Sequence, residues 1–282
     1  MQDPIPIATI LVMAVTVLVS LRGFTNPALV EKFIFSPEPI LRGKQYYRIV
    51  TSAFLHGGWG HLLFNMFSLY SFGRGVELTH GAAAFLLIYF ASVIGGSLLS
   101  LWLHRNHVYR AYGASGGVCG IIFSSIFLFP GGGIMVFPLP FSIPSWLYAI
   151  AFIGVSFYGI RSGRDNIGHD AHVGGAIIGL LTTALLYPHI VTRSPWLFLT
   201  VLGVSLAFFI YLEKHPLYLP AKTWPGPERW RAKPPLTREE KARQVNAILE
   251  KISKSGMQSL TRAEHRMLLE ASQKERRDEK AE

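Results

Sequence analysis

Seven runs of apolar residues, at roughly 5–22, 59–76, 81–103, 113–130, 143–161, 169–188 and 195–212, organise this chain of 282 residues. Each is near the ~20 residues that a helix needs to cross the hydrocarbon core of a bilayer. In hydrocarbon every backbone amide must find its partner inside the protein, so only helices and closed barrels span it. Barrel strands alternate apolar and polar residues, and these runs do not. The reading is an all-α, polytopic helical bundle in a lipid bilayer. Charge agrees: 16% of residues are charged, against about 25% in soluble domains. The first run, "PIPIATILVMAVTVLVSLRG", has no basic residue before it and no small-residue cleavage site, so it is read as a retained span.

The segment 23–58 mixes aromatics, prolines and charges and is expected at the membrane interface. The membrane domain runs over 1–213, with a core at about 46–188 and the seventh span at about 195–212. A proline-rich linker, "KHPLYLPAKTWPGPERWRAKPP", occupies 214–236 and leads into a tail at 237–282. In the tail, Val245, Ile248, Leu249 and Ile252 recur at helical spacing and Gly256 is placed to end that helix. Thr261 and Glu264 form a capping box for a second helix, with Met267 and Leu268 as its apolar stripe. The pair reads as a module that binds a protein partner or self-associates, with a disordered basic tail as the alternative. The net charge is +10, and residues 213–282 contribute half of it, from 16 Lys/Arg against 11 Asp/Glu. Bases interleaved with acids in this way describe solvated surface rather than a nucleic-acid site. The single cysteine, Cys119, excludes an intramolecular disulfide.

Polar groups inside spans are costly and mark function by default. Three stretches stand out: "HLLFN" at 61–65, "GASG" at 113–116 and "AHVGG" at 171–175. A serine hydroxyl becomes a nucleophile only when a base takes its proton and donors hold the oxyanion. Ser115 is expected at the start of the fourth span, where the backbone amides of Gly113, Ala114 and Ser115 and the positive end of the helix dipole converge. Gly116 and Gly120 sit four apart, as do Gly175 and Gly179 just after His172. Two such glycine faces let helix backbones approach closely, which would bring Ser115 to His172 as a Ser–His dyad. His61 and Asn65, four apart on one helix face, would supply further oxyanion donors. Each stretch taken singly also serves helix packing; the conjunction across separate spans points to catalysis.

With these residues the sequence resembles the rhomboid family of intramembrane serine proteases, from about Tyr46 to Leu186. "YYRIVTSAFLHGGWGHLLFNMFSLYSFGRGVE" is similar to the family's first loop and second helix, "GASG" to its Gly-x-Ser-Gly and "AHVGG" to its Ala-His-x-x-Gly. The resemblance is to the bacterial type, with an added C-terminal helix and tail. It implies a six-helix core, Ser115 as nucleophile, His172 as general base and acid, and His61 with Asn65 beside the oxyanion. His56 stands at a second family histidine and Glu77 at a recurring acid, for which pairing with Arg48 is the structural expectation. The family often places a tyrosine against the catalytic imidazole four residues after the nucleophile; here that position is Cys119. Transmembrane proteins are the implied substrates, and the bacterial inner membrane the implied location.

No carboxylate is expected to complete a triad: Asp170 precedes His172 by two and reads as a cap, and Asp165 lies in the preceding loop. His104 with His107 and His169 with His172 lack the companions of a metal site, and neither a metal nor another cofactor is expected. Seven spans place the two ends on opposite sides. The resemblance implies a cytoplasmic N-terminus, whereas most Lys/Arg lie on the side of the tail, so orientation stays open. The alternative function is a catalytically inactive rhomboid-like factor that binds membrane proteins for quality control. A conduit is disfavoured because the spans show no paired halves with broken helices.

Overall fold

The structure, a computed structural model, describes residues 4–106, 108–135, 142–162, 168–214, 238–256, 260 and 268. The chain divides into two compact units, Met1–Trp224 and Pro225–Glu282, each described by itself.

In the first unit a long helix stands on every apolar run: α1 (Ile7–Thr25), then, after the short α2 (Pro27–Phe33), α3 (Pro37–Leu41) and α4 (Arg48–Thr51), α5 (Trp59–His80), α6 (Ala82–Leu103), α7 (Ser115–Leu128), α8 (Ser145–Ser162), α9 (His169–Leu186), the short α10 (His189–Arg193) and α11 (Pro195–Lys214). The strands β1 (Gly133–Met135) and β2 (Ser142–Pro144) pair antiparallel before α8. The all-helical expectation omits this ribbon, because three-residue strands are too short for alternation to register.

Among the described residues, Ile7–Thr25 and Ala82–Leu103 are long and apolar enough to cross a membrane, and Ser115–Leu128, Ser145–Val155 and Pro195–Phe208 are shorter apolar helices. The helices α5 and α9 are less apolar because they carry the polar groups of the site, His61 and Asn65 on one, His169, Asp170 and His172 on the other. Large apolar side chains point outward, among them Leu11 and Val15 on α1, Phe64 and Phe67 on α5, and Leu87 and Leu98 on α6. A belt of this kind suits hydrocarbon rather than water.

The core is α7. Every residue from Gly116 to Leu128 is buried, as expected of a helix apolar on all sides. It packs between α5, α6 and α9. At the far end of α5, the buried Glu77 accepts hydrogen bonds from the Ala8 and Thr9 amides, at 2.8 and 2.7 Å, and from the Thr9 hydroxyl at 2.6 Å. A carboxylate from one helix therefore caps the N-terminus of another, satisfying amides that have no partner within α1. This corrects the expected Arg48–Glu77 pair. Arg48 instead donates to the carbonyls of Glu31 and Ile34, at 2.8 and 2.7 Å, and to Gln45 Oε1 at 2.7 Å. Glu77 ties α5 to α1, and Arg48 folds the first loop upon itself.

In the second unit, α12 (Arg238–Ser255) buries Ile248 and leaves Leu249 exposed. Gly256 ends it in the left-handed region, φ 74°, with its N–H donating to the Ile252 carbonyl at 2.8 Å. The linker from 215 to 236, Thr261, Glu264 and Met267 of the expected second tail helix, and the loop residues His107 and Asp165 lie outside the described residues.

Candidate active site

The site begins with the two glycine faces. A Cβ added to Gly175 would overlap the Gly116 carbonyl, and one added to Gly179 would overlap Gly120. Side chains are absent where α7 and α9 cross, so the two backbones touch. Thr183 on α9 donates to the Ser124 hydroxyl on α7 at 2.6 Å, one further turn along. That crossing brings the first turns of both helices together, and His172 Nε2 lies 2.7 Å from Ser115 Oγ.

Gly113 borders the hydroxyl. Its φ of +135° favours glycine, and a Cβ added to it would overlap the His61 ring, 2.8 Å from Cε1 and 3.0 Å from Nε2, with Ser115 Oγ 3.7 Å away. The imidazole of His61 and the hydroxyl of Ser115 thus both adjoin Gly113. Asn65, buried one turn along α5, donates one amide hydrogen to the His61 carbonyl at 2.9 Å and has a second to offer.

Of the three backbone donors expected here, two are engaged. The Gly113 N–H donates to the Ser52 carbonyl at 3.0 Å, and the Ala114 N–H reaches His56 Nε2 at a long 3.4 Å. Buried amides are paired as a rule, and the first loop supplies the partners. Of the three amides expected to converge here, those of Gly113 and Ala114 thus bond to the first loop, and that of Ser115 opens α7.

His56 is wired on both sides. The Ser20 hydroxyl donates its one proton to the Phe54 carbonyl at 2.9 Å, so it accepts from His56 Nδ1 at 3.0 Å. The proton therefore sits on Nδ1, which leaves Nε2 to receive the Ala114 amide. Burial, and then the neighbouring His61, lower the His56 pKa to about 3, as a neutral bridging ring requires. Sequence reasoning placed His56 by resemblance but gave Ser20 no role; a serine among the apolar residues at the end of the first span was the available signal.

The imidazole of His172 has aromatic company from α8. The Phe152 ring lies 6.3 Å from it, tilted by 31°, and is itself packed on Phe123 at 5.3 Å and Tyr148 at 6.2 Å. Cys119, at the position of the family's tyrosine, is buried. Phe152 was not singled out from sequence, since one phenylalanine in an apolar run carries no signal. Asp170 stands in the first turn of α9, as expected, but it is buried, and its carboxylate is engaged with His104 and Tyr109.

The Rhomboid domain family model matches residues 43–189, just over half of the chain. A second, a family of unknown function (DUF6576), matches 236–274. The chain is 31% identical over 188 residues to RHOMBOID-like protein 12, mitochondrial, of Arabidopsis thaliana, covering 60% of this chain and 54% of that one. It is 31% identical over 195 residues to Rhomboid protease GluP of Bacillus subtilis, covering 68% and 37%. To Rhomboid protease AarA of Providencia stuartii it is 33% identical over 190 residues, covering 59% and 66%. The chain thus spans about a third to two thirds of the length of these relatives.

Proposed function

Because this chain belongs to the rhomboid family of integral membrane proteins, we propose that it is an intramembrane serine endopeptidase that cleaves transmembrane-anchored proteins through a Ser115–His172 dyad, in a bundle of six core helices and a seventh. The observation that carries the reading is the 2.7 Å contact between His172 Nε2 and Ser115 Oγ. Two relatives that are proteases by name, GluP and AarA, support it.

The neutral imidazole takes the hydroxyl proton as Oγ attacks the carbonyl carbon of the scissile bond. The resulting oxyanion forms near Gly113, where the Ser115 amide, the His61 ring and the second hydrogen of the Asn65 amide stabilise it. His172 then delivers its proton to the leaving amine. In the second half it activates the water that releases the acyl group. No acid is needed in this scheme, because the α7–α9 crossing and the Phe152 ring orient the imidazole. The bacterial inner membrane is the proposed location, and the tail at 237–282 the proposed site of a protein partner or of self-association.

The test is labelling of the detergent-solubilised protein by a fluorescent fluorophosphonate, beside folded Ser115→Ala and His172→Ala. Wild type labels and both variants do not. Labelling of folded Ser115→Ala refutes the assignment of the nucleophile, and a folded wild type that never labels refutes protease activity.

A further inference from the structure

Asp170 is a buried carboxylate two residues before the proposed base, and the catalytic scheme gives it no part. Its Oδ1 accepts from the Tyr109 hydroxyl at 3.1 Å, and its Oδ2 faces His104 Nε2 at 3.4 Å. The Ser100 hydroxyl, also buried, adjoins both Asp170 and Tyr109. The rings of His104 and Tyr109 stack at 3.7 Å with 1° between their planes. A carboxylate kept from water is costly unless it is hydrogen-bonded, so this set is a structural commitment.

Its placement relative to Ser115 and His172 gives it meaning. Tyr109 and Ser115 belong to one short stretch between α6 and the first turn of α7, while Asp170 and His172 share the first turn of α9. The Tyr109–Asp170 bond and the Ser115–His172 bond therefore join the same two segments. The Tyr109 segment is itself pinned to the first loop. Phe35 and Ala111 exchange two backbone bonds, at 3.0 and 3.1 Å, and the Phe35 ring meets Tyr109 edge-on at 6.0 Å. On the other side, the Ala171 carbonyl packs so closely on Gly96 that an added Cβ would sit 2.5 Å from it. Backbone packing at Ala171, against Gly96 and Gly116, is one support for the first turn of α9. The Asp170 side chain supplies a second.

We infer that the Tyr109–Asp170–His104 set is a positioning device: it fixes the rotation of the first turn of α9, and with it the approach of His172 Nε2 to Ser115 Oγ. Burial and the adjoining carboxylate push the Tyr109 phenol well above the ordinary tyrosine range, so it remains a donor to Asp170 throughout the working pH range. Asp170 and Tyr109 are positioning residues; neither touches the reacting atoms.

The inference rests on the protease reading, and the experiment separates the two. The rate of covalent labelling by a fluorophosphonate is measured against probe concentration to give kinact and KI, for wild type, Tyr109→Phe, Asp170→Asn and the double variant, with thermal melting in detergent as the check of folding. Tyr109→Phe removes one oxygen and keeps the stacked ring, so it is the milder change. Misplacing a base by a fraction of an ångström is costly to rate. The expected result is a fall in kinact of about tenfold or more in each single variant, with KI unchanged and the fold retained. The double variant falls no further than the more affected single one, because both remove the same bond. Unchanged kinact in folded Tyr109→Phe and Asp170→Asn overturns the device while leaving the protease reading intact, as do losses that simply multiply in the double variant. A folded wild type that never labels overturns both.

Discussion

Gly175 on α9 lies with its backbone directly against the carbonyl of Gly116 on α7, one residue beyond Ser115. The crossing that sets the separation of the two proposed catalytic helices thus falls within one turn of the side chains they carry. Gly175→Ala would force the backbones apart. Overpacking of this kind costs about 1–3 kcal/mol, and the displacement acts on the 2.7 Å contact between Ser115 and His172. The expected outcome is a lower melting temperature in detergent together with loss of fluorophosphonate labelling. A Gly175→Ala protein that labels at the wild-type rate would show that the crossing tolerates a methyl group and does not set the dyad.

How much of this arrangement the sequence disclosed depends on the range of the interaction. Helices apolar on most faces declare themselves by length, and glycines four apart declare a close crossing, so the approach of the helices that carry Ser115 and His172 was legible in the sequence. Contacts between residues far apart in the chain were not. Nothing in the local pattern links Glu77 to Ala8 and Thr9, and the nearer guess, Arg48, proved to serve the first loop. Asp170 read as a cap because acids are common in first turns; its partners His104 and Tyr109 lie more than 60 residues earlier. The engaged amides of Gly113 and Ala114 were equally hidden, since their acceptors, Ser52 and His56, lie in a loop without periodicity.

Glu77 offers a test of stability separate from chemistry. Its carboxylate accepts three hydrogen bonds from the start of α1. Glu77→Gln turns an NH₂ group toward at least one of these donors. Hydrogen bonds to charged groups are worth about 1.5–3 kcal/mol, so the melting temperature falls. At 16 residues along α5 from His61, roughly 24 Å by helix rise, the change leaves the labelling rate at 25 °C as it was. A slower rate at full folding would show that the far end of the bundle is coupled to the site.

The Phe152 ring, from another helix, lies 6.3 Å from the His172 imidazole, whereas the position of Cys119 holds no ring. An aromatic contact contributes about 0.5–1.5 kcal/mol beyond its buried area. Phe152→Leu keeps much of the apolar volume and loses the ring, so labelling slows by about twofold to tenfold with the fold intact. Cys119→Tyr made together with Phe152→Ala restores part of the rate, by returning a ring to the helix that carries Ser115. If Phe152→Leu labels as fast as wild type, the crossing of α7 and α9 alone orients His172.

His56 gives the protein an acid sensitivity with a definite sign. Folded, its pKa is lowered from 6.5 to about 3, by burial first and by His61 second. Between those values the unfolded chain binds a proton that the folded protein does not, so stability is complete above about 6.5 and declines as pH falls toward 3. The limiting slope for one such group is about 1.4 kcal/mol per pH unit. Melting temperatures taken in detergent from pH 7 to pH 4 therefore drop, and drop less in His56→Asn, whose amide can still donate to Ser20 but cannot titrate. Equal slopes in the two proteins would mean that other groups govern the acid limb and that His56 opens to solvent before it protonates.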